Sequence, residues 1–475
     1  VNTVLPMRGV ACIARCWLGV LSLALLACAM LWWSAARAQD EAETETLNLV
    51  GHGGPVRGLS ISADGERALS ASFDYSVILW DLTGRPPKLV KRLIGHEGPV
   101  NAAAFLPGGR ALTGSDDGTL AIWDLALGEI EHRLRGHTAK ILDIAVSPDG
   151  KLAASASWDH TVGLWRLPEA KRIALLKGHA GPVNTVSFAG DGKRFYSGGY
   201  DGTVRLWRTD GASAQAARPV VEYGWGINVL RPLLDGRIAF GAQNGDVRVV
   251  QSKSGDEIKI LAPHEGPVLA LALSPERDLL ATGGADGVIR LWRTDNWAAG
   301  ESYANPTGPV WALAFKTRGQ VYYGGLDDFV IHWSADPRLP FETVPSTYPR
   351  RFQVSGEMSL GERQFARKCS VCHTLTPEDA NRAGPTLYGI FGREAGSLPE
   401  YPYSEGLKKS DIVWNEETIA KLFGLGPDHV TPGSKMPLQV IQEAEKRKAL
   451  VAFLKKATRA KDGEAREDEN KNKEE

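Results

Sequence analysis

Apolar and polar positions alternate differently along the chain, and each change of pattern predicts a different element. Trp17 to Trp33 is an apolar run with no charged residue. From residue 51 to 335 the apolar positions fall into short alternating strands. Tight turns such as Ser62-Ala63-Asp64-Gly65, Ser147-Pro148-Asp149-Gly150 and Ala189-Gly190-Asp191-Gly192 join them, as β-hairpins require. Residues 336–354 carry Pro337, Pro340, Pro345 and Pro349 with no periodicity, which predicts an extended, semi-rigid linker. Beyond it, Leu360 to Lys368 reads as a short helix. The end, 460–475, is dense in mixed charge with alanine as its only apolar residue, and is expected to be disordered.

The hairpin pattern is periodic. Gly51-His52, Gly95-His96, Gly136-His137 and Gly178-His179 are 44, 41 and 42 residues apart, Pro263-His264 opens a later unit, and seven units fit before residue 335. Trp80, Trp123, Trp165, Trp207, Trp292 and Trp333 mark six units and Val250 the fifth. Six residues before each lies Asp74, Asp117, Asp159, Asp201, Asp286 or Asp327, with Asn244 in the fifth. A carboxylate in a turn beside a buried imidazole and an indole N–H gives each polar group a partner within its own unit.

This pattern resembles the WD-repeat family over residues 43–335. The first three units match best, with His52, Ser72, Asp74 and Trp80; His96, Ser115, Asp117 and Trp123; and His137, Ser157, Asp159 and Trp165. Later units depart from it: Gly199, Gly284 and Gly325 replace the serine and Asn305 the last histidine, so a weaker internal network is expected there. The resemblance implies an all-β, seven-bladed propeller of four-stranded sheets, with Thr46 to Val50 as the outer strand of the last blade. Repetition makes these histidines, aspartates and tryptophans a structural network, and none is assigned a catalytic role. The fifth unit, Glu222 to Ser252 with Trp225, is either a specialised face or a drifted blade.

Charge and cysteine usage bear on compartment and partners. Arg8 and Arg15 precede the apolar run and Ala36-Arg37-Ala38 follows it, the layout of a signal peptide spanning 1–38 and cleaved after Ala38. The run's 17 residues also approach the lower limit for a membrane span, so an uncleaved inner-membrane anchor is an alternative, and a lipoprotein site at Cys28 another. All three would export the remainder of the chain, and a periplasmic location is expected. Net charge is −1, which argues against a nucleic-acid partner. Cys12, Cys16 and Cys28 lie in the export segment, so only Cys369 and Cys372 remain, and the body is not a disulfide scaffold.

Those two cysteines stand in Cys369-Ser370-Val371-Cys372-His373. A C-x-x-C-H run sets two thiols one helical turn apart for thioether bonds to porphyrin vinyl groups, with the adjacent imidazole reaching the iron. One covalent haem c is therefore expected. A redox dithiol would need a βαβ setting and a zinc site two more soft ligands, and neither context is present in the sequence. For the iron's other face, Met436 in Thr431-Pro432-Gly433-Ser434-Lys435-Met436-Pro437 is favoured over His429, because a thioether in a stiff loop gives the His/Met pair used in electron transfer.

Residues 355–459 resemble a class I cytochrome c of the mitochondrial and bacterial c2 type, an all-α fold. The matching segments are Cys369 to Thr374, Gly384 to Arg393, Trp414 to Thr418, Pro432 to Met436 and a final helix from Glu443 to Arg459. By that resemblance the Pro385 carbonyl accepts the spare N–H of His373, and Arg393, Tyr403 and Trp414 face the haem propionates. Gly361 and Phe365 pack against Leu450 and Phe453. Leu422 or Phe423 stands where a tyrosine is frequent near the methionine sulfur, and Leu407 where an asparagine is.

The function expected of the whole chain is a periplasmic carrier of single electrons, with the propeller docking a redox protein. The alternatives are a propeller oxidoreductase feeding the haem, for which residues 43–335 hold no cofactor motif or acid/base pair, and a haem-based sensor. Whether the chain is an enzyme is left open, with the carrier reading preferred.

Overall fold

The computed structural model describes residues 46–209, 219–335, 358–370, 372–376, 384–399, 401, 403–432, 434, 436 and 440–458. The expectations for 1–38, for the linker 336–354 and for the tail 460–475 fall outside them. Among the described residues no helix is long and apolar enough to cross a membrane.

Blade 1 is a four-stranded antiparallel sheet of β2 (Val56–Ile61), β3 (Arg67–Ser72), β4 (Ser76–Asp81) and β5 (Lys88–Ile94). Strands β6 to β25, from Val100 to Ala304, build five more sheets of the same order. The seventh joins β26 (Val310–Thr317), β27 (Gln320–Gly325) and β28 (Phe329–Ser334) to β1 (Leu49–Val50). The ring therefore closes with strands from both ends of the repeat region, through Leu49↔Val330 and Val50↔Phe329. The closing strand is shorter than Thr46–Val50, because the Asn48 side chain instead accepts the His332 N–H, 2.8 Å away.

Burial explains the composition of the strands. β3 is buried along all but its first residue and β4 along all but its last, whereas β5 begins with three exposed residues. Middle strands lie between neighbouring blades and so read as small or apolar residues. Close approach shows in the glycines of the second strands: a Cβ on Gly241 would sit 2.4 Å from Val268 of the next blade, and one on Gly324 2.8 Å from Val56 across the closure.

Inside each well-formed blade the polar groups make one chain of hydrogen bonds. Trp80 Nε1 donates to Ser70 Oγ (2.8 Å), Ser70 Oγ meets His52 Nε2 (2.7 Å), and His52 Nδ1 meets Asp74 (2.9 Å). Donor and acceptor roles then follow: the hydroxyl donates to Nε2 and the Nδ1–H to the carboxylate. The bridging hydroxyl is Ser70, Thr113, Ser155, Ser197 or Thr282, not the serine two residues on. Ser72 instead donates to the Gly54 carbonyl and accepts the Asp74 N–H.

The glycine blades accordingly keep their network. With Gly199 and Gly284 in place of serine, Asp201 and Asp286 approach the imidazole with both oxygens, at 3.0 to 3.1 Å. Blade 7 differs: Asn305 accepts from the Tyr323 hydroxyl and from Thr307, whose hydroxyl also bonds Asp327. Blade 5 replaces the chain with Tyr223, Asn244, Asp246 and Arg248, the guanidinium lying 4.7 Å from the Tyr223 ring centroid.

The C-terminal domain is helical: α1 (Leu360–Lys368), α2 (Glu405–Lys408), α3 (Glu416–Leu425), α4 (Pro427–Val430) and α5 (Ala444–Ala457). Ser359 and Glu362 form a capping box at the start of α1, and Asn415 with Thr418 does the same for α3. α1 and α5 cross at Gly361, where a Cβ would lie 2.2 Å from the Ala449 carbonyl, and the Phe365 and Phe453 rings meet at 5.5 Å.

Candidate functional site

α1 does not stop cleanly at Lys368. Cys369 N–H bonds the Phe365 carbonyl (2.8 Å), and the N–H groups of Cys372 and His373 both bond the Cys369 carbonyl, at 3.0 and 2.9 Å. This extra turn brings Cys369, Cys372 and His373 to one side, where all three line a single cavity. The cavity walls are largely apolar, including Leu387, Ile390, Ile419, Leu422, Phe423 and Leu454.

The imidazole of His373 is held from two directions. Its Nδ1 lies 2.8 Å from the Pro385 carbonyl, which fixes the proton on Nδ1 and keeps the Nε2 lone pair unprotonated. A Cβ on Gly384 would sit 2.3 Å from His373 Cε1, so only glycine lets the backbone lie against the ring. Sequence reasoning named Pro385 and passed over Gly384, although the two are adjacent.

Met436 reaches the same cavity from a loop set by α4. Thr431 closes that helix, its N–H and hydroxyl both donating to the Pro427 carbonyl at 2.8 and 3.0 Å, and Ser434 N–H then bonds the Thr431 carbonyl. His429 is exposed and does not line the cavity.

Arg393, Tyr403 and Trp414 also line it. The Arg393 guanidinium donates to the carbonyls of Tyr388 (3.1 Å) and Thr386 (2.7 Å), and burial lowers its pKa. Burial pushes the Tyr403 phenol up, against the pull of Arg393. Trp414 is placed by a short backbone ladder: its N–H bonds the Arg393 carbonyl and its carbonyl accepts the Gly392 N–H. Tyr401, which the sequence pattern did not single out, meets Tyr403 edge-on at 4.7 Å and lines the same space. Its only signal was a second aromatic two residues away.

Burial pushes the Cys369 thiol up to about 12, as expected of a side chain set in the apolar wall. Among the described residues no three His, Cys, Asp or Glu side chains gather as a metal cluster.

The family model for cytochrome c matches residues 358–458, which contain every one of these groups. Cytochrome c of Sesamum indicum is 37% identical over 103 residues, 22% of this chain and 92% of that protein. Those of Ginkgo biloba and Gibberella zeae are 35% and 34% identical, each over 22% of this chain and over 90% and 99% of their own lengths. The chain belongs to the cytochrome c family.

The cytochrome c domain carries covalently attached haem c and moves electrons through it. Its cavity fits that group: two thiols, an imidazole with a fixed tautomer and a thioether open into one apolar space. The family model described as WD domain, G-beta repeat, matches residues 43–81, 87–124, 128–166, 170–208 and 255–293. The structure has seven blades, and the two unmatched ones are those lacking the histidine chain, where Tyr223 or Asn305 takes over.

Proposed function

We propose that this chain is a periplasmic electron carrier in which Cys369 and Cys372 bind haem c, His373 and Met436 are the axial ligands, and the propeller docks the redox partner. The observation that carries the reading is the convergence of both sulfur donors, the imidazole and the Met436 thioether on one apolar cavity, with His429 outside it. When bound, the haem supplies a one-electron couple.

The protein's part is to hold that couple closed and dry. His373, with Pro385 accepting its Nδ1–H, offers a basic Nε2, and Met436 offers a soft sulfur that favours the reduced state. With His373 and Met436 both holding the iron, substrate would have no access to it, which would favour outer-sphere transfer. Leu422 and Phe423, which line the cavity along with Met436, carry no hydroxyl. The signal-like segment before Ala38 supports export. The propeller contributes a repeat surface whose histidines and aspartates are committed to one another.

Met436→Ala tests the ligand pair. The expected outcome is haem-bearing protein that loses its weak far-red ferric band and whose potential falls by a sizeable part of the roughly 0.8 V range that axial ligands span. An unchanged band and potential would remove Met436 from the iron. Deleting residues 43–335 should leave the redox couple intact and abolish electron transfer with the partner that co-purifies with the full chain. Fractionation of cells expressing that chain should find it in the periplasm.

A further inference from the structure

In every blade the register of the innermost strand slips near its start, leaving one residue bulged. Bulges re-aim side chains, and here all seven bulged residues line one axial cavity of ≈ 240 Å³. Four of the seven are polar: Arg57, Asn101, Asn184 and Asn228. Leu142, between Asn101 and Asn184, and the neighbouring Leu269 and Trp311 complete the ring. A purely structural channel has no need of this asymmetry.

Three charged groups face the same space, Arg57 from blade 1, Asp143 from blade 3 and Arg231 from blade 5. Asp143 is committed to the wall: it accepts from Thr185 Oγ1 (2.8 Å), Val186 N–H (3.1 Å) and Ile144 N–H (2.9 Å). The arginines are committed less. Arg57 donates to the Trp311 carbonyl at 3.2 Å and Arg231 to the Leu230 carbonyl at 2.8 Å, and among the described residues neither forms an ion pair. Burial lowers Arg57 from its ordinary value, against the pull of Asp143 and Asp116, and raises Asp143 against the pull of Arg231. Two guanidiniums thus face one carboxylate whose oxygens already accept three hydrogen bonds.

We propose that the axial cavity binds a small carboxylate anion between Arg57 and Arg231. A guanidinium's planar fork matches a carboxylate, and two forks facing one spent acid leave a single positive charge to neutralise. Asn101, Asn184 and Asn228 donate their amide N–H to the next blade's Ile141, Ile227 and Val268 carbonyls, at 2.8, 2.9 and 3.1 Å. Their own side-chain carbonyls remain as acceptors for ligand hydroxyls, and these latches fix them in advance of binding. The volume holds about eight waters, so the acid is a short hydroxy acid or diacid of roughly two to four carbons. This site is independent of the haem reading.

The test is calorimetric titration of the full, haem-loaded chain with lactate, glycolate and malonate in turn, at constant ionic strength, with chloride as the control. At least one acid is expected to saturate a single site. Arg57→Gln and Arg231→Gln should each weaken it by about tenfold or more, and Asp143→Asn should tighten it by removing the competing charge. The reduction potential should stay unchanged in all three. The proposal is overturned when none of the acids saturates beyond the chloride control. Binding that is indifferent to both arginine variants overturns it too, as does Asp143→Asn binding that weakens.

Discussion

Blade 3 completes its core from protein alone: Trp165 is buried, its indole N–H goes to Ser155, and Ser155 and Asp159 satisfy the two nitrogens of His137. In the cytochrome c domain, Leu387, Ile419, Leu422 and Phe423 belong to the hydrophobic core and also line the haem cavity. One region spreads its stability over repeated networks. The other concentrates it on a prosthetic group, so the two should fail separately and by different routes.

The largest effect expected is loss of the group itself. In the double variant Cys369→Ala, Cys372→Ala, haem attachment is abolished and the helical domain should lose cooperative unfolding altogether. The propeller's tryptophan-fluorescence transition should stay where it was. A shared shift of both transitions would show that the two regions are coupled.

Trp165→Ala comes next, at about 3–5 kcal/mol, read from urea unfolding of the propeller with the haem spectrum unchanged. Asp159→Asn should cost about 1–3 kcal/mol, because His137 then loses its charged acceptor. The pH dependence follows from the same carboxylates. Burial alone would raise Asp74, Asp117, Asp159 and Asp201, but their histidine contacts and the N–H bonds they accept hold them well below the usual range. Folded values below the unfolded value of about 3.9 stabilise the propeller above that pH, and the gain is lost as pH falls beneath it. Thermal melts should therefore drop steeply below about pH 4, less steeply in Asp159→Asn, after a gentler decline below about pH 6.5 from His264, whose burial lowers its pKa.

The smallest effect is the most discriminating. Restoring the family serine by Gly199→Ser should destabilise by about 1 kcal/mol rather than stabilise, since a Cβ there would meet His179 Nδ1 at 2.6 Å. Differential scanning of the variant checks the sign.

The two regions differ in how much of them the sequence makes legible, for physical reasons. Periodicity exposed the blades because every unit solves the same burial problem, so His52, Asp74 and Trp80 recur at fixed offsets. Which hydroxyl bridges them was hidden, since Ser70 and Ser72 lie on one face of β3 and only the cross-strand register selects Ser70. The bulges at Arg57 and Asn101 were invisible too, as an extra residue leaves no mark on composition. In the cytochrome c domain the Cys369 to His373 spacing is dictated by one helical turn and was readable directly. Gly384 and Tyr401 act through contacts made by irregular backbone, which no local pattern encodes.

The clasp between β1 and β28 sets the order of events during synthesis. Asn48 accepts the N–H of His332, 284 residues later in the chain. Until then one blade lacks its outer strand and shows an unpaired edge. A nascent chain thus spends most of its emergence with an open ring, and a fragment ending before residue 329 has nothing with which to shut it. Closure therefore makes the last blade equal to the other six, four strands wide, only once both ends of the repeat region exist.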